Sequence, residues 1–386
     1  MTHLVFHLGD RKAGSAAIKF TLAAGTWHCP KVKLQYPVGD GTLHIRLARA
    51  LAAKDSGPRR QKYFDLIRQE IAAHQPDIAI ISADQFEAVD PVVLRDALHA
   101  CLPEYAATAR FVSYVRPHID RTLSAYAERL ERGDTSTTLA EFHRLVLQSQ
   151  RYLYAPRFLK WRQTFGDNFI LRPLVRDLLV NHDPVQDFLT LVFGAEPFEI
   201  AAVTQPSLSP TLQDLAMIRS LHHRIADPDG DLVAAALQDA VGRNLAARLL
   251  ADPAPNPVPL QAHRDLARQM RDDYLADAQA VDAAFFDGTP LTDDLQSAPD
   301  RAPTSAQSLS LADQATPDEA RMVATFTGLI SLLLKSDTDH WARHFGARSP
   351  GPVAVQPASK TDATAQTEPK RKRRLGKGRR KNRRQV

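Results

Sequence analysis

The chain has 386 residues, 44% of them hydrophobic, with 49 Lys/Arg against 44 Asp/Glu and two cysteines. That apolar content is ample for one large core or several smaller ones, while the isolated Cys29 and Cys101 argue against a disulfide framework or a cysteine-built metal site and for a reducing compartment. The charge is unevenly placed: residues 370–386 hold eleven Lys/Arg and no acid, which leaves 38 basic against 44 acidic groups in the first 369 residues, so a mildly acidic body ends in a strongly basic tail.

In chain order, Val5-Phe6-His7-Leu8 runs into Gly9-Asp10-Arg11-Lys12-Ala13-Gly14-Ser15-Ala16-Ala17-Ile18. An apolar run that ends in a Gly/Lys/Gly/Ser turn and restarts with Ala-Ala-Ile predicts strand, tight loop and helix, the architecture of a phosphate cradle. A βα turn without a ligand has the same pattern, and the nucleotide-triphosphatase signature is not met because no Gly-Lys-Ser/Thr follows. Residues 31–56, around Pro37-Val38-Gly39-Asp40-Gly41, read as a loop on the substrate side. Tyr63 to Ala72 has helical spacing. Ile78 to Ser82 is a continuous apolar run suited to a buried parallel strand, and Pro91 to Leu102 is again helical. Ala109 to Val115 is a third strand, delivering Arg116 and Pro117 to a helix in which Ser124 lies about two turns on. This alternation predicts an α/β fold with a central parallel sheet and helices on both faces, whose ligands bind at the carboxyl ends of the strands.

Thr138–Tyr154 and Arg157–Phe165 read as helices, Asn168–Arg172 as the last strand, and the rest as a helix-rich second half with helices near 174–180, 184–193, 210–225, 231–251 and 261–286. Residues 297–316, rich in Ser, Ala, Gln, Asp and Pro, are expected to be a linker. A C-terminal helical segment follows over 317–346, in which Met322–Leu334 is apolar nearly all round. It is too short to span a bilayer and reads first as a docking helix or oligomer contact, second as a shallow membrane contact. From 349 to 386 the composition predicts disorder. The basic cluster at 370–384 has no interleaved aromatics, so nucleic acid, anionic lipid and acidic polysaccharide are all admissible partners, as is a purely solubilising role. Residues 1–30 lack the charged and then apolar pattern of a secretory signal. The expected location is the cytoplasm, with peripheral membrane attachment as an alternative.

The stretch His7 to Ser15, together with Val115-Arg116 and Ser124-Ala125-Tyr126, resembles the sulfotransferases that use 3′-phosphoadenosine 5′-phosphosulfate, in particular their bacterial, carbohydrate-directed branch. Tyr154, Trp161, Phe165-Gly166, Leu171-Arg172-Pro173-Leu174 and Asp187-Phe188 follow in an order similar to that family's later core. The resemblance covers roughly residues 3–290, which the domain reading treats as one sulfotransferase-like α/β domain, residues 1–290. It implies a P-loop-like, three-layer α/β/α fold and transfer of a sulfuryl group to a hydroxyl of a saccharide or other small acceptor, with no metal. Gly9, Arg11, Lys12, Ala13, Gly14, Ser15 and Ala16 would form the 5′-phosphosulfate loop, and Arg116 and Ser124 the 3′-phosphate site. Lys12 would neutralise the leaving phosphate and Asp84, just after the strand 78–82, would be the general base. Ala13 and Ala16 stand where the family usually carries hydroxyls. A non-catalytic adaptor tethered by the basic tail, or a P-loop phosphotransferase, are the alternatives. Asp84 also reads as a turn cap, His7 as a packed histidine and Arg172 as a structural ion-pair partner, while His222-His223 lacks the spacing of a metal site.

Overall fold

The computed structural model describes residues 2–10, 12–37, 42–201, 209–226 and 232–346. Five strands, β1 (His3–His7), β3 (Leu34–Gln35), β4 (Ile78–Ser82), β5 (Arg110–Val115) and β6 (Phe169–Pro173), form an all-parallel sheet in the order β3-β4-β1-β5-β6. Two short strands, β2 (Trp27–His28) and β7 (Glu199–Ile200), pair antiparallel beside it. The register aligns Phe6 with Ile81 and Phe111, and Phe111 with Phe169. Alternation then sorts the side chains: Leu4, Phe6, Ala79, Ile81, Phe111, Val115, Phe169 and Leu171 enter one core cluster, and Val5, Ile78, Ile80, Val112 and Tyr114 the other.

Helices cover both faces. On the first lie α2 (Leu43–Ala52), α3 (Gly57–His74), α4 (Pro91–Cys101) with the one-turn α5 (Pro103–Ala106), α6 (His118–Glu131), α7 (Leu139–Gln148) and α8 (Ala155–Phe165), joined later by α12 (Arg264–Phe285). Phe165, itself half-buried, stacks on Phe111 at 3.8 Å and on the buried Trp161 at 5.5 Å. Fully burying such a ring contributes about 1.5–3 kcal/mol. On the second face α1 (Ser15–Ala24) and α9 (Pro184–Phe193) supply Ile18, Leu22, Phe188 and Leu189.

The helix-rich half comprises α10 (Leu212–Ile225), α11 (Leu232–Ala251), α12, α13 (Pro290–Arg301), α14 (Leu311–Gln314), α15 (Pro317–Ser336) and α16 (Thr338–His344). Two expectations need correction. Residues 174–180 are not a helix but enter two 3-10 turns, Arg176–Leu178 and Val180–His182, because Asn181 and His182 take left-handed φ values of 52° and 57°. Residues 297–316, expected as a linker, begin inside α13, whose buried Leu291, Leu295 and Pro299 recur every four residues. The Gln307 side chain then bonds Pro259 and Gln261. The described residues accordingly belong to one compact unit without a break at 290. The tail at 349–386 lies outside the described residues. Among the described residues no helix is long and apolar enough to cross a membrane.

Candidate functional site: a cleft at the carboxyl edge of the sheet

β1 lies in the middle of the sheet. The chain leaves it toward β3 and β4 on one side, while β5 leads on to β6 on the other, so the connections diverge above β1 and β5. Open parallel sheets form their ligand crevice at such a switch point. Here it is a cleft of about 1800 Å³ lined by Lys12, Gly14, Ser15, Ala16, Asp84, Arg116 and Ser124, among others. A single small-molecule pocket is usually about 300–1,000 Å³, so two ligands fit side by side.

The loop from β1 to α1 is held in an unusual conformation. Gly9, Lys12 and Gly14 have φ values of 49°, 65° and 76°, a region glycine tolerates and lysine enters only when its surroundings hold it there. One hold is visible: the Arg116 guanidinium donates to the Lys12 carbonyl at 3.1 Å. Arg116 is itself fixed by the Tyr154 hydroxyl, which donates to its carbonyl at 2.9 Å. Gly14 precedes α1, and no side chain caps that helix, which leaves its first N–H groups facing the cleft as an anion site.

Two predicted loop residues do not line the cleft. Gly9 packs beneath it, where a Cβ would sit 3.0 Å from the Asp84 Cα. Ala13 is fully buried among Ile18, Val112 and Phe188, so a hydroxyl there would be in the core, and only Ala16 stands at the surface of the cleft. Arg11 lies outside the described residues. None of the described residues in 31–56 lines the cleft; that segment builds β3 and the whole of α2 instead.

Asp10 is the clearest gain from the structure. Its carboxylate is 1% exposed and points below the loop, bonded to Arg157 of α8 at 3.0 and 3.4 Å. Arg121, 2% exposed, lies near it between Glu87, 3.6 Å away, and the ring of Tyr152 at 4.6 Å. The Ser15 hydroxyl donates to the Asp10 carbonyl at 3.4 Å.

Asp84 is bonded to Lys19 of α1 at 2.6 Å. Burial raises its pKa, but the charge and hydrogen bond of Lys19, with smaller help from Ser15 and His7, hold it below the ordinary value. Next to it His7 shares a 2.7 Å hydrogen bond with the Ser82 hydroxyl, and the Ser82 N–H donates to His44 Nδ1 at 3.2 Å. Burial depresses both imidazoles to about 4. His7 is thus the packed, neutral histidine expected.

Sequence reasoning missed the far wall. Asp120 and Glu128, four residues on either side of Ser124, face the cleft along α6 with Glu131 and Arg132, and Asp294 and Arg301 join from α13. The four-residue spacing was a usable signal; the α13 pair was not. Lys12 Nζ lies 3.5 Å from Glu128, Arg116 lies 3.9 Å from Asp120, and Arg301 binds Asp294 at 2.8 Å. Burial raises the pKa of Glu131 and of Asp120, against the opposing charges of Lys12 and Arg116. The remaining wall includes Leu174, Arg176, Asn181 and His182. Arg172 is outside the cleft lining, paired with Asp187 at 2.5 Å beside the Tyr114 hydroxyl. His222 is bonded to the Glu131 carbonyl at 3.0 Å.

The chain matches no protein-family model and no curated protein.

Proposed function

We propose that the chain is a sulfotransferase with a P-loop-like, three-layer α/β/α fold, moving a sulfuryl group from 3′-phosphoadenosine 5′-phosphosulfate to a hydroxyl of a saccharide or other small acceptor. One observation carries the reading. Lys12 and Arg116, 104 positions apart, meet in one cleft through a hydrogen bond that braces the loop. The uncapped start of α1 and the Ser15 hydroxyl complete a cradle for a phosphate, while Arg116 and Ser124 supply a second cation and hydroxyl for another.

In this reading Lys12 exchanges Glu128 for the bridging oxygen of the donor and neutralises the phosphate as the sulfur–oxygen bond breaks. Asp84 accepts the proton of the acceptor hydroxyl as its oxygen attacks sulfur. Its lowered pKa makes it a weak base, so the proton moves late, once the S–O bond to the acceptor has formed. The size of the cleft leaves room for an acceptor next to the donor.

A second reading, the non-catalytic adaptor, is favoured by the counter-charges already on both catalytic candidates, Glu128 on Lys12 and Lys19 on Asp84. Calorimetric titration of adenosine 3′,5′-bisphosphate into the full chain separates the two. Saturable binding, weakened about tenfold or more by Lys12→Ala and by Arg116→Ala, supports the enzyme. No binding by the folded wild type removes that reading and leaves the adaptor.

A further inference from the structure

Helix α15 is built inside out. Its buried side chains are Thr327, Ser331 and Leu334, and the Ser331 hydroxyl donates to the Arg224 carbonyl of α10 at 2.7 Å. On the other side Met322, Phe326, Leu329, Ile330, Leu332 and Leu333 face solvent, with Leu332 72% exposed. At about 100° per residue these six occupy an arc of about 160°, and within 322–333 the only polar side chain on that arc is Thr325. Six of the twelve exposed large hydrophobic side chains among the described residues sit on this one helix. A capping box between Thr316 and Glu319 fixes its start.

We propose that this face rests on an anionic lipid surface, acting together with the basic cluster at 370–384. The reading is independent of the sulfotransferase assignment. An interfacial helix needs only an apolar face that sinks to the headgroup boundary. One such signal anchors weakly and reversibly, and a polybasic segment is the usual second one. Charge complementarity selects the surface: the eleven basic groups of residues 370–386 are attracted to anionic headgroups.

The test is sedimentation of the full chain with vesicles of phosphatidylcholine alone and of phosphatidylcholine mixed with phosphatidylglycerol. The wild type is expected to pellet with the anionic vesicles, less so as salt is added. The double change Phe326→Glu with Leu329→Glu, and Gln in place of Arg371, Arg373, Arg374, Arg379 and Arg380, should each lower partitioning about tenfold or more. Leu332→Ser, at the most exposed position, gives a smaller loss in a variant that keeps the wild-type melting curve. A wild type that stays in the supernatant overturns the proposal. So does partitioning unchanged by the two Glu substitutions, which would mean that the tail binds alone. A dimer in light scattering that those substitutions dissolve would assign the face to a second copy instead.

Discussion

The two flanks of the loop between β1 and α1 are built from opposite chemistry. On the Asp10 flank, two carboxylates and two guanidiniums, Asp10, Glu87, Arg121 and Arg157, pack together with Tyr152 and Tyr154. On the His7 flank the buried groups are neutral, His7, Ser82 and His44, with the half-buried Tyr36 against His44, and Lys19–Asp84 is the ion pair beside them. Both flanks hold the same strained turn, but they fail in different ways. The ionic flank cannot lose a member without stranding a buried charge, and the neutral flank cannot gain a proton.

The largest effect should come from Asp10→Ala, which leaves Arg157 without its bidentate partner and takes one counter-charge from Arg121, which keeps Glu87 at 3.6 Å. Breaking a buried pair from one side costs about 3–5 kcal/mol, read as a lowered urea midpoint; an unchanged midpoint would remove the distinction between the flanks. Next comes acid. His7 and His44 are held near 4 in the fold and return to about 6.5 when unfolded, so the unfolded chain binds protons first. Their contribution is complete above pH 6.5 and is lost as the pH falls through that window toward 4, at about 3 kcal/mol for each ring. Urea midpoints measured across the window should fall steeply for the wild type and less steeply for His7→Gln.

Gly9→Ala probes the turn itself. It places a Cβ in left-handed backbone, 3.0 Å from the Asp84 Cα and 3.1 Å from the Ala83 carbonyl, and should cost about 2 kcal/mol in the same assay. A cost near zero would mean that the loop moves freely over the His7 flank. The smallest effect sharpens the comparison. Lys160, on the same helix as Arg157, bonds Asp90 at 2.6 Å, shorter than Arg157 to Asp10 at 3.0 Å, yet both of its partners are nearly half exposed. Lys160→Ala should cost less than about 1 kcal/mol, because burial and not separation sets the value of these pairs.

Much of this was legible in the sequence. The continuous apolar run at 78–82 and the β-rich run at 109–115 marked strands of the parallel sheet, and the Gly/Lys/Gly/Ser turn marked the loop that enters the cleft. Lys12, Ser15, Asp84, Arg116 and Ser124 do converge there. What stayed hidden was long-range pairing. Asp10 lies in the loop beside the expected anion site, and nothing local shows that its partner is Arg157, 147 positions away. Nothing in the sequence sets Lys19 against Asp84, 65 positions on, which the fold brings to 2.6 Å. Polar composition misled at 297–316, because Leu291 and Leu295 just upstream and Pro299 within it are buried at four-residue spacing along α13.

The central position of β1 also sets an order of events during synthesis. Leu4, Val5 and Phe6 are made before the strands that flank them, β4 and β5, paired through Ile78–Ser82 and Arg110–Val112. At about 5–20 residues per second, roughly 5–20 s pass between translation of β1 and of β5. Until β4 is made the apolar segment of β1 has neither neighbour, and until β5 is made it has only one, which makes it a natural target for a ribosome-associated chaperone and makes sheet closure a late, non-local step.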